Sequence, residues 1–147
     1  MIDYDKWLNK LPKFEKKDRS TFPYWFSHWR AYQLVAMKLG VWQPRWLLHD
    51  IEKPWLKLIW GDYKRVQKWH KFHNKHHIFS GRRYGINKVD WLAAVLDWEC
   101  SRYSKYAAQL NARDEVAALI ANTEKYSEVE REEIRKNCYP ILDYLGL

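Results

Sequence analysis

Residues 20–40 read STFPYWFSHWRAYQLVAMKLG, and this stretch decides the fold class. Trp25, His28, Trp29, Tyr32, Val35, Ala36 and Leu39 recur at three- and four-residue spacing, so a single helix face gathers them. Ser20 is a candidate N-cap and Gly40 a natural residue just past a helix end, which predicts a helix over 20–39. His28 lies within the apolar stripe and therefore points inward. A lone histidine in that position is more often a hydrogen-bonded core residue than a ligand, so its meaning depends on its partners.

The helical period continues in both directions. Pro44 fits the first turn of a short helix running through Trp46, Leu47 and Leu48 to His49–Asp50. Pro54 is expected to keep Lys53 out of helical geometry, which puts the dyad at or near a helix end. Asp62, after Gly61, can cap a helix from Tyr63 to about His77, with His70, His73 and His77 on one face. The two glycines and paired arginines of residues 80–87 mark a loop. A long helix is expected from about Asp90 to Leu110, with Ala93 and Ala94 small enough to admit a neighbour. Ser127 and Glu130 form a capping-box pattern in the tail, and Pro140 is expected to interrupt the last segment. No stretch sustains period-two alternation. The expectation is an all-α bundle of about six or seven helices in one domain over 1–147, with its functional core at about 20–110 and C-terminal helices at 114–147.

Composition narrows the function classes. A chain of 147 residues with 47% hydrophobic residues can bury a core without disulfide staples. Cys100 and Cys138 are its only cysteines and no CxxC occurs, which argues against a zinc ribbon or disulfide framework and for two free buried thiols. The N-terminus lacks an apolar signal region and no apolar run reaches spanning length, so a soluble, cytoplasmic protein without a membrane partner is expected. Residues 1–89 carry 19 Lys/Arg against 7 Asp/Glu, whereas residues 90–147 carry 7 against 11. All ten tryptophans fall at or before Trp98. A basic, aromatic-rich half suits a small anionic, phosphorylated ligand, and it equally suits weak nucleic-acid binding or a solvated surface over a Trp-filled core.

All six histidines lie between positions 28 and 77, in the order His28, His49–Asp50, then His70, His73, His76 and His77, with Asp97 following on a later helix. Imidazole nitrogens and carboxylate oxygens carried on separate helices can meet one cation, or a carboxylate can join two. Each residue alone has an ordinary explanation; the coincidence points to a metal site and hence to hydrolysis or oxygen chemistry.

This order resembles the HD-domain superfamily of metal-dependent phosphohydrolases, an all-helical family. The His49-Asp50-Ile51-Glu52-Lys53 stretch is similar to the HD-x-x-K variant of its binuclear branches. The similarity is closest to a small bacterial and phage group of HD-like proteins with an H-x-x-x-N-x-H-H stretch and a later D-W segment, here His70, Asn74, His76, His77 and Asp97-Trp98. It covers roughly residues 25–105, and the interval from His28 to His49 is short for nucleotidase members. The resemblance implies an HD-like bundle in which His28, His49 and Asp97 hold one metal and Asp50 bridges to a second. The second would take His70 and His77, then His76, with His73 in support. It implies two divalent ions per chain, drawn from Mn²⁺, Mg²⁺, Co²⁺, Fe or Zn²⁺, and catalytic roles for Asp50 and Lys53.

Lys53, Arg82, Arg83, Arg102 and Lys105 are the candidate phosphate-binding residues. Asn74 is expected to orient a ligating histidine or cap a kink, and Trp69 and Trp98 to build the hydrophobic wall. The expected activity is hydrolysis of a nucleotide or other small phosphoester. Competing readings are a di-iron oxygenase of the same superfamily, and a non-catalytic Trp-rich module that binds nucleic acid or a partner around a structural metal.

Overall fold

The computed structural model describes residues 1–79, 86–107 and 110–147. Among them seven helices succeed one another: α1 (Tyr4–Asn9), α2 (Phe22–Lys38), α3 (Glu52–Trp60), α4 (Tyr63–His73), α5 (Lys88–Ser104), α6 (Ala112–Ala121) and α7 (Glu128–Leu145). Two 3₁₀ turns, Lys16–Asp18 and Pro44–Leu48, precede α2 and the His49–Asp50 dyad. The fold is all-α. No strand occurs among the described residues, and an isolated bridge joins Phe14 to Lys105.

Helix α5 is the element on which the others are arranged. Asn87 caps it in a reciprocal box with Asp90, so two otherwise unpaired backbone N–H groups are satisfied. Along one face Ala93, Leu96, Cys100 and Tyr103 pack with Leu8, Leu11, Ala31, Tyr32, Val35 and Trp46, which places α2 against α5. Along another face Trp91, Ala94 and Val95 pack with Val116, Ile134, Cys138 and Leu142 of α6 and α7. The adjacent alanines thus serve different cores, and their small size lets helices close on α5 from both sides. Cys100 and Cys138 are free and buried, one in each core.

Several boundaries depart from the sequence expectation. Thr21, not Ser20, caps α2, accepting from the Tyr24 N–H while its hydroxyl donates to the Asp18 carbonyl. Gly40 follows α2 at φ 71°, the left-handed conformation that glycine adopts without penalty. Pro54 does not exclude Lys53 from a helix: α3 begins at Glu52, and proline in a first turn gives up an N–H that has no helical partner there. Helix α4 stops at His73 rather than His77, with Asn74 as its extended C-cap, so His76 and His77 lie beyond the helix. Helix α5 starts at Lys88 and stops at Ser104, where the chain turns to meet Phe14. Pro140 does not interrupt α7; it lies on the exposed face, where water can satisfy the carbonyl it leaves unpaired.

No helix among the described residues is long and apolar enough to cross a membrane.

Candidate metal centre

The site forms where α2, the dyad, the chain beyond α4 and α5 converge. Packing of the apolar stripe of α2 turns His28 inward until it is 3% exposed. The chain then leaves the second 3₁₀ turn through His49 into Asp50. Asp50 has φ 56°, the positive value uncommon for a residue with a side chain. The Trp25 indole N–H donates to its carbonyl oxygen at 2.8 Å and holds this conformation. The turn brings both carboxylate oxygens into the interior, with Asp50 2% exposed. Strained backbone that survives at a buried charged residue is found most often at functional sites.

Two groups of ring nitrogens, one of them with an Asp97 oxygen, face the two Asp50 oxygens. In the first, His28 Nε2 lies 2.9 Å from Asp97 Oδ1, and His49 Nε2 lies 3.4 Å from the same oxygen and 3.5 Å from His28 Nε2. Asp50 Oδ2 stands 3.6 Å from His49 Nε2 and 3.9 Å from His28 Nε2. In the second, His70 Nε2 is 3.1 Å and His76 Nε2 3.5 Å from Asp50 Oδ1, while His77 Nε2 is 2.8 Å from His70 Nε2.

These separations suit metal ligation. With bond lengths of about 2.0–2.2 Å, neighbouring ligands of a tetrahedral or octahedral cation stand about 3.0–3.5 Å apart. Ring nitrogens facing ring nitrogens gain little from one another unless one carries a proton. Asp50 Oδ1 and His76 Nε2 are buried with no hydrogen bond of acceptable geometry, at a cost of about 1–3 kcal/mol for each such atom. A cation shared among the donors would satisfy them, so the buried His/Asp groups can hold a metal ion.

For His28, His76, His77 and both aspartates the electrostatics favour ligand-competent forms. Burial lowers His28 to about 4, partly offset by Asp97, and burial with His76 nearby lowers His77 to about 3, so both rings are neutral at pH 7. Burial likewise lowers His76. Burial opposes ionisation of Asp50, but His49, Lys53 and the neighbouring His70 and His76 rings outweigh it and hold the carboxyl well below its usual range. For Asp97, hydrogen bonds from His28 and His49 outweigh burial in the same direction. His70 is raised: burial lowers it, and the carboxylates of Asp50 and Glu52 beside it more than compensate.

A surrounding layer fixes the rings. His70 Nδ1 contacts Glu52 Oε1, which also accepts from the Asn74 amide at 2.9 Å. With Nδ1–H given to Glu52, the Nε2 lone pair of His70 is free to ligate. Ser104 Oγ holds His28 Nδ1 at 3.2 Å, and Tyr32 stacks on His49 at 3.7 Å between centroids. The roles of Glu52, Ser104, Trp25 and Tyr32 at the site escaped the sequence reading, in which Trp25 and Tyr32 are stripe residues of α2. Glu52 had a faint signal, two residues after the dyad within the HD-x-x-K stretch; Ser104 had none, being 76 residues from its partner.

The remaining expected residues divide. Lys53 Nζ donates to Asp50 Oδ2 at 2.5 Å and lines the adjacent cleft. His73 takes no part: exposed at the helix end, it stacks on Trp69 and donates Nδ1–H to that residue's carbonyl. Arg102 pairs with Glu99 at 2.7 Å, and Glu99 in turn accepts the Ala112 N–H at the start of α6, so Arg102 supports packing away from the cleft. Lys105 donates to Ser101 Oγ at 3.2 Å and does not line the cleft. Arg82 and Arg83 lie outside the described residues. Asn74 is the C-cap of α4 rather than the cap of a kink, and its amide donates to Glu52 beside His70.

In comparisons with protein-family models, curated proteins and solved structures, the chain shows no significant match.

Proposed function

We propose that this protein is a metal-dependent phosphohydrolase of the HD type, acting on a nucleotide or other small phosphoester. The observation that carries the reading is the division of Asp50, whose Oδ2 faces His28 and His49 while its Oδ1 faces His70 and His76. A carboxylate so placed is suited to bridge two divalent cations. His28, His49 and Asp97 would complete one ligand set, and His70, His76 and His77 the other. Ions held there would supply acidification of water towards neutral pH and positive charge against a reacting phosphoryl group.

The chain's own residues supply the rest. Burial works against the charge of Lys53, but Asp50 outweighs it and keeps the ammonium protonated. From the cleft wall that ammonium can donate to a phosphate oxygen as charge builds there. Glu52 and Asn74 hold His70, and Ser104 holds His28, so little reorganisation is needed on binding. Trp25 keeps the Asp50 carboxylate turned towards both histidine groups.

The test is phosphate release from a panel of nucleotides and small phosphomonoesters with Mn²⁺, Mg²⁺ or Co²⁺. Metal-dependent release lost in Asp50→Ala and reduced in Lys53→Ala supports the reading. Absence of release with every metal and substrate overturns it, and a visible-range iron chromophore with oxygen consumption would replace it with an oxygenase.

A further inference from the structure

The cleft in front of Lys53 encloses about 720 Å³, and most of its wall has no part in the hydrolytic chemistry. Helix α2 contributes Phe22 and Trp25, and α3 contributes Trp55 and Leu58. Helix α3 is amphipathic, yet none of its nine residues is buried; Trp55 is 64% and Leu58 77% exposed. A helix that leaves its apolar side chains at the rim of a cavity offers that surface to whatever enters. Trp25 has spent its N–H on Asp50, so only its ring remains for a ligand.

The cations of the wall are not equivalent. Lys53 gives one of its N–H groups to Asp50 and keeps others for a phosphate, and Lys57 donates to the Ser20 carbonyl, tying α3 to the chain ahead of α2. Arg19, also in the wall, has Nε and Nη2 shut off from water with no hydrogen-bond partner. Sheltered, unpaired donors on a charged group are costly, and rotation of the guanidinium into the cleft would let an anion there satisfy them.

We infer that the cleft takes a phosphoester with an apolar, ring-sized body and a second anionic group. The phosphate lies at Lys53, the body lies against Trp55 and Leu58, and Arg19 binds the second anion. This ligand class rests on the phosphohydrolase reading and goes beyond it by excluding a simple, small phosphate ester as the preferred substrate.

Three phosphonates test it, because their C–P bonds report recognition without hydrolysis. Methylphosphonate, benzylphosphonate and 4-(phosphonomethyl)benzoate are titrated calorimetrically into the Mn²⁺-loaded protein. The ring should tighten binding about tenfold or more, from the apolar area it buries. The added carboxylate should give about a further tenfold, as a charged hydrogen bond allows. Arg19→Gln should abolish the second gain and keep the first, and Trp55→Ala, at an exposed position that the fold does not need, should reduce the first. Equal affinity for the three ligands, or a carboxylate gain that survives Arg19→Gln, overturns the inference. Turnover of benzyl phosphate and 4-carboxybenzyl phosphate is measured in parallel. Discrimination among phosphonates without turnover sinks the hydrolase reading and supports the ligand class; turnover without discrimination does the reverse.

Discussion

The Trp25 indole N–H donates to the carbonyl oxygen of Asp50 at 2.8 Å and thereby fixes a backbone angle of φ 56°. A half-buried aromatic of α2 at the cleft wall thus controls which way the central carboxylate points. Trp25→Phe keeps the ring and removes the donor. Its stability should fall by about 1 kcal/mol, measured by urea denaturation, and Mn²⁺ affinity should fall about tenfold. Unchanged metal affinity would separate the hydrogen bond from the site.

Glu52 is expected to set the tautomer of His70. Glu52→Gln retains the size but removes the charge, and should weaken metal binding to the His70, His76 and His77 group by about 10–100-fold. Binding at the His28, His49 and Asp97 group should persist. Calorimetric titration checks this, with His49→Ala as the variant that should weaken the other group.

The division between the core and the apolar rim predicts opposite responses to truncation. Leu96 is fully buried on α5, and Leu96→Ala should cost about 2–5 kcal/mol. Leu58→Ala, at 77% exposure, should stay within about 0.5 kcal/mol. Denaturant midpoints of the two variants give the comparison, and a large loss at Leu58 would mean that α3 is packed against something in solution.

The two thiols should be inert in the folded protein. Burial raises Cys138 to about 12 and raises Cys100 well above its ordinary value. A thiol reacts as its thiolate, so at pH 8 both remain neutral as well as inaccessible. An aromatic disulfide reagent should label neither cysteine in buffer and both in denaturant; rapid labelling of the native protein would contradict the burial of both.

Much of the site was legible because its residues obey local rules. His28 falls on the apolar stripe of α2, so its inward placement follows from periodicity, whereas the sequence places His49–Asp50 only near a helix end and the positive φ of Asp50 turns it inward. Asp97 is carried by a helix whose small residues admit α2. What escaped depends on partners distant in sequence. Asn74 ends α4 with its amide committed to Glu52, 22 residues earlier, and this takes His76 and His77 off the helix. His77 nevertheless reaches His70, through the chain reversal rather than through the helical spacing that suggested the pair. Glu52 reads as a favourable charge in the first turn of α3 until His70 is seen against it. Pro54 and Pro140 mislead for a shared reason: each sits where the hydrogen bond it forgoes is absent or open to water.

The central claim is that one carboxylate, Asp50, serves two metal sites. The most direct measurement is the number of Mn²⁺ ions bound per chain after reconstitution, for the native protein and for Asp50→Ala, with folding checked by circular dichroism. Two ions should bind to the native protein and fewer than two, weakly held, to the variant. A folded native protein that binds no metal, or a variant that still binds two, would contradict it.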